Sequence, residues 1–508
     1  MNTPADSILV VGAGPVGLTA ACQLARLGVA VRVVDALAEP TTESRAVSIH
    51  ARSMEMLAAL GVMPRLEERA RRIPALEMID GRTGTVRARL DIGGVPSRHP
   101  YILDIPQPDT EAVLAERATE LGIVVERGVR LTALTQDGDG VDVTLTSRDG
   151  DETTARVGWV VGADGGHSSV RSFAGVKLEG GFRGQHFAMA DIDVDTSWAP
   201  DAIRMFTHHD GMGILFPLAG KRARIMFMVD DPGTGAPDPT LAQIQALADT
   251  RMSGDVTMSN PRWLTWFEVH HAQVPQYRLG RVLLAGDAAH IHSPAGAQGM
   301  NTGIQDAANL GWKLALVAQG RADAALLDSY HDERHPVGAM VVKSTTTLTD
   351  IGAATGPKAH LRDAAFFLVG HLSRFAGVAA DTLTETSVAY RDSTLSVHHG
   401  RAAVKAGEHA PDPDGLPVAI EDLLATTPGF LLVVDGPEHE AELRKTLGDL
   451  GSVVAADGVL ARTYGWPIDG MALIRPDGYL GLVADSAHPD VLRDYLSRTL
   501  RIAVPSWS

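Results

Sequence analysis

The segment from Ser7 to Asp35, SILVVGAGPVGLTAACQLARLGVAVRVVD, constrains the fold of this chain more than any other. Ser7 to Val11 reads as an apolar strand. Pro15 to Leu27 reads as a helix with Val16, Leu24 and Leu27 apolar and Gly28 at its end, and Val29 to Val34 reads as a second strand. A strand–helix–strand unit implies a parallel sheet with helices on its faces. Between the first strand and the helix, Gly12 permits a tight turn and Gly14 lets the backbone approach a pyrophosphate, while Gly17 lets the helix pack near the strand. Val16 lies inside the same fingerprint. The helix N-terminus offers free N–H groups and partial positive charge to phosphates. Asp35 closes the second strand 18 residues after Gly17, where a carboxylate can accept hydrogen bonds from a ribose hydroxyl pair. The unit therefore predicts dinucleotide binding without saying which dinucleotide.

The remaining composition narrows the class. The 508 residues suggest two to four domains, and 45% apolar with 21% charged residues is ordinary for a globular protein that buries a large core. A formal net charge of −17 argues against a nucleic-acid partner at the whole-chain level. The start, MNTPADS, carries no positive charge and does not read as a secretory signal. No run of ~18 apolar residues predicts a membrane span. The only cysteine, Cys22, excludes an intramolecular disulfide and fits a cytoplasmic home; within an apolar helical pattern it reads as a small buried hydrophobe.

Strand and helix signals alternate over the first ~175 residues, with further helices expected at Arg52 to Leu60 and Thr110 to Glu120. From about 180 to 275 the texture changes. His186 to Val194, Gly213 to Leu218, Arg222 to Val229 and Trp263 to Val269 read as strands, and Asp230 to Pro239 reads as a loop. Arg222, Arg224, Met226 and Met228 alternate with Ala223, Ile225, Phe227 and Val229, which predicts an inserted, more antiparallel sheet with two distinct faces. Helices return at Asn301 to Ala318 and from about 323 to 350, and 360–400 reads as helix and connection. Ala406 to Pro417 is turn-rich. Beyond it, strands are expected at Phe430 to Val434, Gly451 to Ala455 and Ala472 to Ile474, and helices at Pro437 to Leu447 and His488 to Thr499. That tail is long enough for a small separate α/β domain.

Two further motifs bear on the ligand. Trp159 to Arg171 reads WVVGADGGHSSVR, a strand running into Asp164-Gly165. Arg281 to Asn301 reads RVLLAGDAAHIHSPAGAQGMN, in which a strand delivers Asp287 to a turn and a Gly/Ala/Pro loop from Pro294 to Gly299 leads into a helix near Met300. An unencumbered backbone at a helix N-terminus suits a flat or anionic ligand, including a reduced flavin. With GAGPVG, these segments in this order and spacing resemble the class A flavoprotein aromatic hydroxylases, the family of p-hydroxybenzoate hydroxylase. The resemblance is strong over 1–175 and 278–345 and weak over the insert. AGEHAPDPDG near 406–415 and LIRPDGYLGLV at 473–483 resemble the C-terminal thioredoxin-like domain of phenol hydroxylase and the actinobacterial polyketide-tailoring hydroxylases.

The resemblance implies an α/β chain. Its parts are a discontinuous Rossmann-type FAD-binding domain (1–175 and 278–345), an inserted mixed β-sheet substrate domain (176–277), a helical connection (346–400) and a thioredoxin-like α/β domain (401–508). It implies FAD as cofactor and NADPH or NADH as transient electron donor. Carried over by position, Gly12, Gly14, Val16 and Gly17 face the pyrophosphate and Asp35 the adenosine ribose. Arg45 and Gln107 lie near the cofactor, as does Arg52 as a further candidate. Leu131 offers a backbone contact to adenine, and Asp287 meets the ribityl or pyrophosphate region. Pro294, Gly299, Met300 and Asn301 border the isoalloxazine. Asp164 either handles FAD and NAD(P)H or orients a turn and pairs with Arg171. With no CxxC in the tail, packing or homodimer support is its expected role. The implied reaction is hydroxylation of a phenolic or polycyclic aromatic substrate by O2 through a flavin hydroperoxide. Simple-phenol hydroxylation, antibiotic inactivation, Baeyer–Villiger insertion and an FAD dehydrogenase remain alternatives, as does a non-catalytic flavoprotein. FAD carries the chemistry, so no catalytic side chain is assigned. No metal is expected: His290 and His292 lack a third ligand nearby and read as loop hydrogen-bonders. His208, His209, His270 and His271 read as exposed loop residues, one of which can meet substrate. Met205, Phe206, Met212, Phe216, Met226 and Met228 read as core, with an apolar substrate roof as the sharper alternative.

Overall fold

The computed structural model describes all residues except 1–6, 45, 254–255, 294–295, 353–372, 414–415, 417, 457, 467–468 and 503–508. Arg45 and Pro294 therefore lie outside the described residues, as does much of the connection expected at 346–400.

Ile8–Val11 pairs in parallel with both Val31–Asp35 and Trp159–Gly162. The sheet extends to six strands, through Val125–Arg127 on one side and Val282–Leu284 then Arg278–Leu279 on the other. The strands come from 1–175 and from beyond 277. Helix Pro15–Arg26 starts on Pro15, whose fixed φ suits a first turn. Gly28, at φ +81°, lets the chain turn away after the helix. This helix and the 20-residue helix Gly299–Ala318 cross at Val16, where glycines make room: a Cβ on Gly303 would lie 2.5 Å from Val16 Cγ2, and one on Gly286 2.9 Å away.

The inserted sheet has eight strands in the order His290–Ile291, Val256–Gln273, Glu179–Thr196, Arg222–Val229, Gly211–Pro217, Ala202–His208, Ala75–Asp80 and Val86–Asp91. Neighbours are antiparallel except Ala202–His208 beside Ala75–Asp80, so the sheet is mixed. Its last two strands come from the first 175 residues, joining the insert to the dinucleotide-binding part through a continuous ladder. The two faces separate as the alternation predicts. Ala223, Ile225 and Phe227 pack against helix Leu241–Arg251, whereas Arg224 and Met226 face the other way. That helix was not expected. Its first turn is fixed by a capping box in which Thr240 and Gln243 satisfy each other's backbone N–H.

The C-terminal sheet runs Val397–His399, Leu480–Ala484, Met471–Ile474, Phe430–Val434, Gly451–Ala455. Phe430–Val434 and Gly451–Ala455 are parallel, and Met471–Ile474 is antiparallel to both of its neighbours. Its core meets the rest of the molecule at Trp312, Leu316 and Leu326.

Cys22 is fully buried in the helix behind the glycine turn, and burial pushes its thiol up to about 12. A thiol-specific reagent is therefore expected to leave the native protein unlabelled and to modify one thiol per chain after denaturation. Labelling of the native protein at a rate near that of free cysteine would contradict the packing.

Candidate active site

A cleft of about 780 Å³ runs from the glycine turn to the inserted sheet. Gly14, Pro15 and Val16 line one end, together with Gln107, Gly165 and Asp287. Phe216, Arg224, Met226, Trp263 and Phe267 line the other. Gly299 and Met300 lie between them.

The glycine turn is built as its chemistry demands. Gly12 has φ +105°, and a Cβ there would lie 2.3 Å from the Ala163 carbonyl oxygen. A Cβ on Gly17 would lie 1.9 Å from the Gly12 oxygen. Gly14 differs: its Cβ would meet only Glu111 Oε1, at 3.9 Å, and would project into the cleft. This bare backbone, opening helix Pro15–Arg26, leaves room for a pyrophosphate to approach the first N–H groups. The residues present therefore fit a dinucleotide.

Asp35 stands behind the turn. Its Oδ2 accepts from Ala13 N (2.6 Å) and its Oδ1 from Leu37 N (2.8 Å). Gln107 opens helix Gln107–Glu120, three residues before the expected start, because Pro106 and Pro108 suit a helix N-terminus. Its Oε1 accepts from Ala46 N, and its Nε2 donates to Glu111 Oε1 at 2.8 Å. Burial raises the Glu111 carboxyl above its ordinary range. Leu131 is buried in the core beside the sheet and does not line the cleft.

Asp164 follows strand Trp159–Gly162 and caps the next helix. Its carboxylate accepts from Ser168 Oγ, from Ser169 N at 2.7 Å and from Val170 N at 3.1 Å. Burial raises its carboxyl. The turn-orienting role is thus present, but the expected pairing with Arg171 is not. Arg171 donates instead to the carbonyls of Gly166 (2.6 Å) and Ala288 (3.1 Å). Arg52 does not line the cleft: it is buried against Glu55 and donates to the Thr386 carbonyl.

Asp287 sits in the turn Gly286–Ala288 with its side chain exposed at the cleft. Asn301 is fully buried. It donates to Ser48 O (2.9 Å) and Ala297 O (2.8 Å) and accepts from His50 N (2.8 Å), so its side chain pins the loop before Gly299 to the segment 48–50.

The histidines depart from the exposed-loop expectation. Strand Val256–Gln273 is 18 residues long, so His270 and His271 stand in it on opposite faces. His270 lines the cleft and His271 is buried. His208 is buried at the end of strand Ala202–His208, while His209 is exposed. His290 pairs with buried Asp306 at 2.7 Å. His292 lines the cleft, where burial and then His290 lower its imidazole to about 3 and keep it neutral. Of the six apolar candidates for a roof, Phe216 and Met226 line the cleft, while Phe206 packs on the opposite face with helix Leu241–Arg251.

Sequence reasoning missed Arg224 as a site residue. It is 1% exposed; its Nε and Nη2 grip Asp191 at 2.7 and 2.8 Å, and the Trp263 ring lies 5.8 Å from its guanidinium carbon. Its Nη1 is buried with no hydrogen-bond partner among the described residues. The strand alternation at 222–229 places Arg224 on the face opposite Ile225 and Phe227, which was the available signal.

The family model described as an FAD binding domain matches residues 6–345. The chain is 33% identical to pentachlorophenol 4-monooxygenase of Sphingobium chlorophenolicum, covering 96% of this chain and 90% of the relative. It is 36% identical to 6-methylpretetramide 4-monooxygenase of Streptomyces rimosus, covering 93% and 90%. Among solved structures, the OxyS anhydrotetracycline hydroxylase from Streptomyces rimosus superimposes with a TM-score of 0.81 at 32% identity, over 97% of this chain and 99% of that one. The matches, and a bare glycine turn facing a cleft that ends beneath an aromatic sheet, establish that the chain belongs to the FAD-binding class A flavoprotein aromatic hydroxylases and is a flavin-dependent monooxygenase.

Proposed function

We propose that the substrate is a phenolic, multi-ring aromatic compound held beneath the inserted sheet, with one oxygen atom of O2 entering its ring. FAD supplies the redox chemistry, with NAD(P)H as the electron source, and the protein supplies orientation and exclusion of water. The observation that carries the reading is the wall of Phe216, Met226, Trp263 and Phe267 around the buried guanidinium of Arg224. Flat rings pack well on such a surface. The unsatisfied Nη1 donor is suited to a phenolate oxygen, which gains a charge-assisted hydrogen bond there.

On this reading Gly12, Gly14, Val16 and Gly17 hold the pyrophosphate and Asp287 its ribityl side, while Gly299, Met300 and Asn301 present backbone to the isoalloxazine. Gln107 borders the cofactor. Asp35 reaches the ribose only while it also holds Ala13 N–H, and Leu131 contributes backbone alone. The order of the C-terminal strands, with Met471–Ile474 antiparallel between Phe430–Val434 and Leu480–Ala484, supports a thioredoxin-like unit with a packing or dimer role. No helix among the described residues is long and apolar enough to cross a membrane.

The test is a panel of phenols and polycyclic aromatics added to the purified yellow protein with NAD(P)H. Acceleration of NAD(P)H oxidation by the multi-ring phenols is the expected result, and no acceleration by any phenol would overturn the reading. Arg224→Lys keeps the charge but loses the planar fork, so KM is expected to rise about tenfold or more while FAD stays bound. An unchanged KM would remove Arg224 from substrate binding.

A further inference from the structure

Asp306 is fully buried in the second turn of helix Gly299–Ala318. Its Oδ1 accepts from Arg334 Nε at 2.7 Å. Its Oδ2 accepts from the backbone N–H of Gly286 at 3.1 Å and lies 2.7 Å from His290 Nε2. Burial pushes the Asp306 carboxyl up, but Arg334 and His290 outweigh it, and it stays below its ordinary value. One carboxylate oxygen thus ties the chain immediately before Asp287 to the chain three residues after it. Arg334 is itself held by the Thr302 carbonyl at 3.0 Å and Tyr390 Oη at 2.9 Å, so the anchor cannot swing. Gly286 has φ +59°, and a Cβ there would lie 2.9 Å from Val16 Cγ2, so the turn needs glycine at its start.

We infer that Asp306 and His290 are positioning residues for the cofactor, fixing both ends of the turn that presents Asp287 to the cleft. The inference rests on the reading that Asp287 faces FAD. Neither side chain touches the cleft; they act through the geometry of the Gly286–Ala288 turn. A buried three-way carboxylate of this kind is preorganised, because none of its groups must leave water when ligand arrives.

The test titrates FAD into the apoprotein of four full-length variants and records the unfolding midpoint of each apoprotein. His290→Leu removes the donor to Asp306, and His290→Asn holds an amide a methylene too short to reach it. His290→Gln places an amide N–H where Nε2 was. Asp287→Ala tests the underlying reading. The expected result is FAD affinity about tenfold weaker for His290→Leu and His290→Asn, as for the loss of one charge-assisted contact, and within about threefold of wild type for His290→Gln. A purely structural His290 would lower the apoprotein midpoint without moving FAD affinity. The inference is overturned if all three His290 variants bind FAD like wild type while Asp287→Ala binds weakly. If Asp287→Ala itself binds FAD normally, the turn does not face the cofactor, and the inference falls with that reading. Should His290→Leu not fold, His290→Asn against His290→Gln carries the same comparison.

Discussion

Glu333→Ala is expected to destabilise the protein by about 3–5 kcal/mol, the cost of breaking a buried ion pair from one side. Glu333 accepts from Lys313 Nζ (2.8 Å), from Asn309 Nδ2 (2.6 Å) and, in a two-pronged contact at 2.8 Å, from Arg475. Arg475 in turn grips Asp477 at 2.6 and 3.0 Å, and Asp477 also accepts from the Trp312 indole at 3.1 Å. Lys313 and Arg475 are fully buried. Burial drives the Glu333 carboxyl up, yet Arg475 and Lys313 outweigh it and hold it well below the usual carboxylate range. Burial lowers the Lys313 ammonium to about 8 against the pull of Glu333. Removing Glu333 would leave two cations facing one carboxylate in a dry seam. The seam joins helix Gly299–Ala318 to the C-terminal sheet, so the C-terminal unit should loosen first. A fall in the urea midpoint, with early proteolysis near the turn-rich stretch around 406–413, is expected. A change below about 1 kcal/mol would show that the network is not closed as the distances imply.

Gly17→Ala is expected to yield a folded but colourless protein. The added Cβ would lie 1.9 Å from the Gly12 carbonyl oxygen, and that oxygen cannot retreat, because Gly12 itself sits against Ala163. Relief requires the turn to open, which removes the first N–H groups from the pyrophosphate site. FAD affinity should fall by about a hundredfold or more, roughly 2.7 kcal/mol. Gly93→Ala is the control, since nothing lies within 4 Å of a Cβ there. A yellow Gly17→Ala protein would mean that helix Pro15–Arg26 can slide, contrary to its close approach to Gly12, Ala163 and Gly303.

The dinucleotide-binding half was legible because its signals are local. Gly12, Gly14 and Gly17 each answer a nearby steric or ligand demand, and the strand before them, Ile8–Val11, is a continuous apolar run. The faces of the inserted sheet were legible from the alternation at 222–229. The strands Ala75–Asp80, Val86–Asp91 and Ala202–His208 were not. Their pairing partners are far away in sequence, and Val86–Asp91 (VRARLD) is an edge strand whose arginines and acids hide its pattern. Helix Leu241–Arg251 carried its start signal in Thr240 and Gln243 but has almost no apolar stripe. For the cleft, the sequence located Gly14, Gln107, Asp287, Gly299 and Met300. It had no means of finding Arg224 with Asp191, because that pair forms across two strands, or of seeing that Asn301 spends its side chain on backbone groups. The hub at Asp306 was hidden for the same reason: its partners come from 286, 290 and 334, and only folding brings them together.

An enzyme whose cleft brings an aromatic ring to FAD inserts an oxygen atom that comes from O2 and not from water. Turnover of an accelerating phenol under heavy-isotope dioxygen, followed by mass spectrometry of the product, tests it most directly. One labelled oxygen atom per product molecule is expected, and it should be lost together with FAD in Gly17→Ala. A product formed with NAD(P)H consumption but carrying no label, or labelled only from water, would contradict the claim and leave a dehydrogenase in its place.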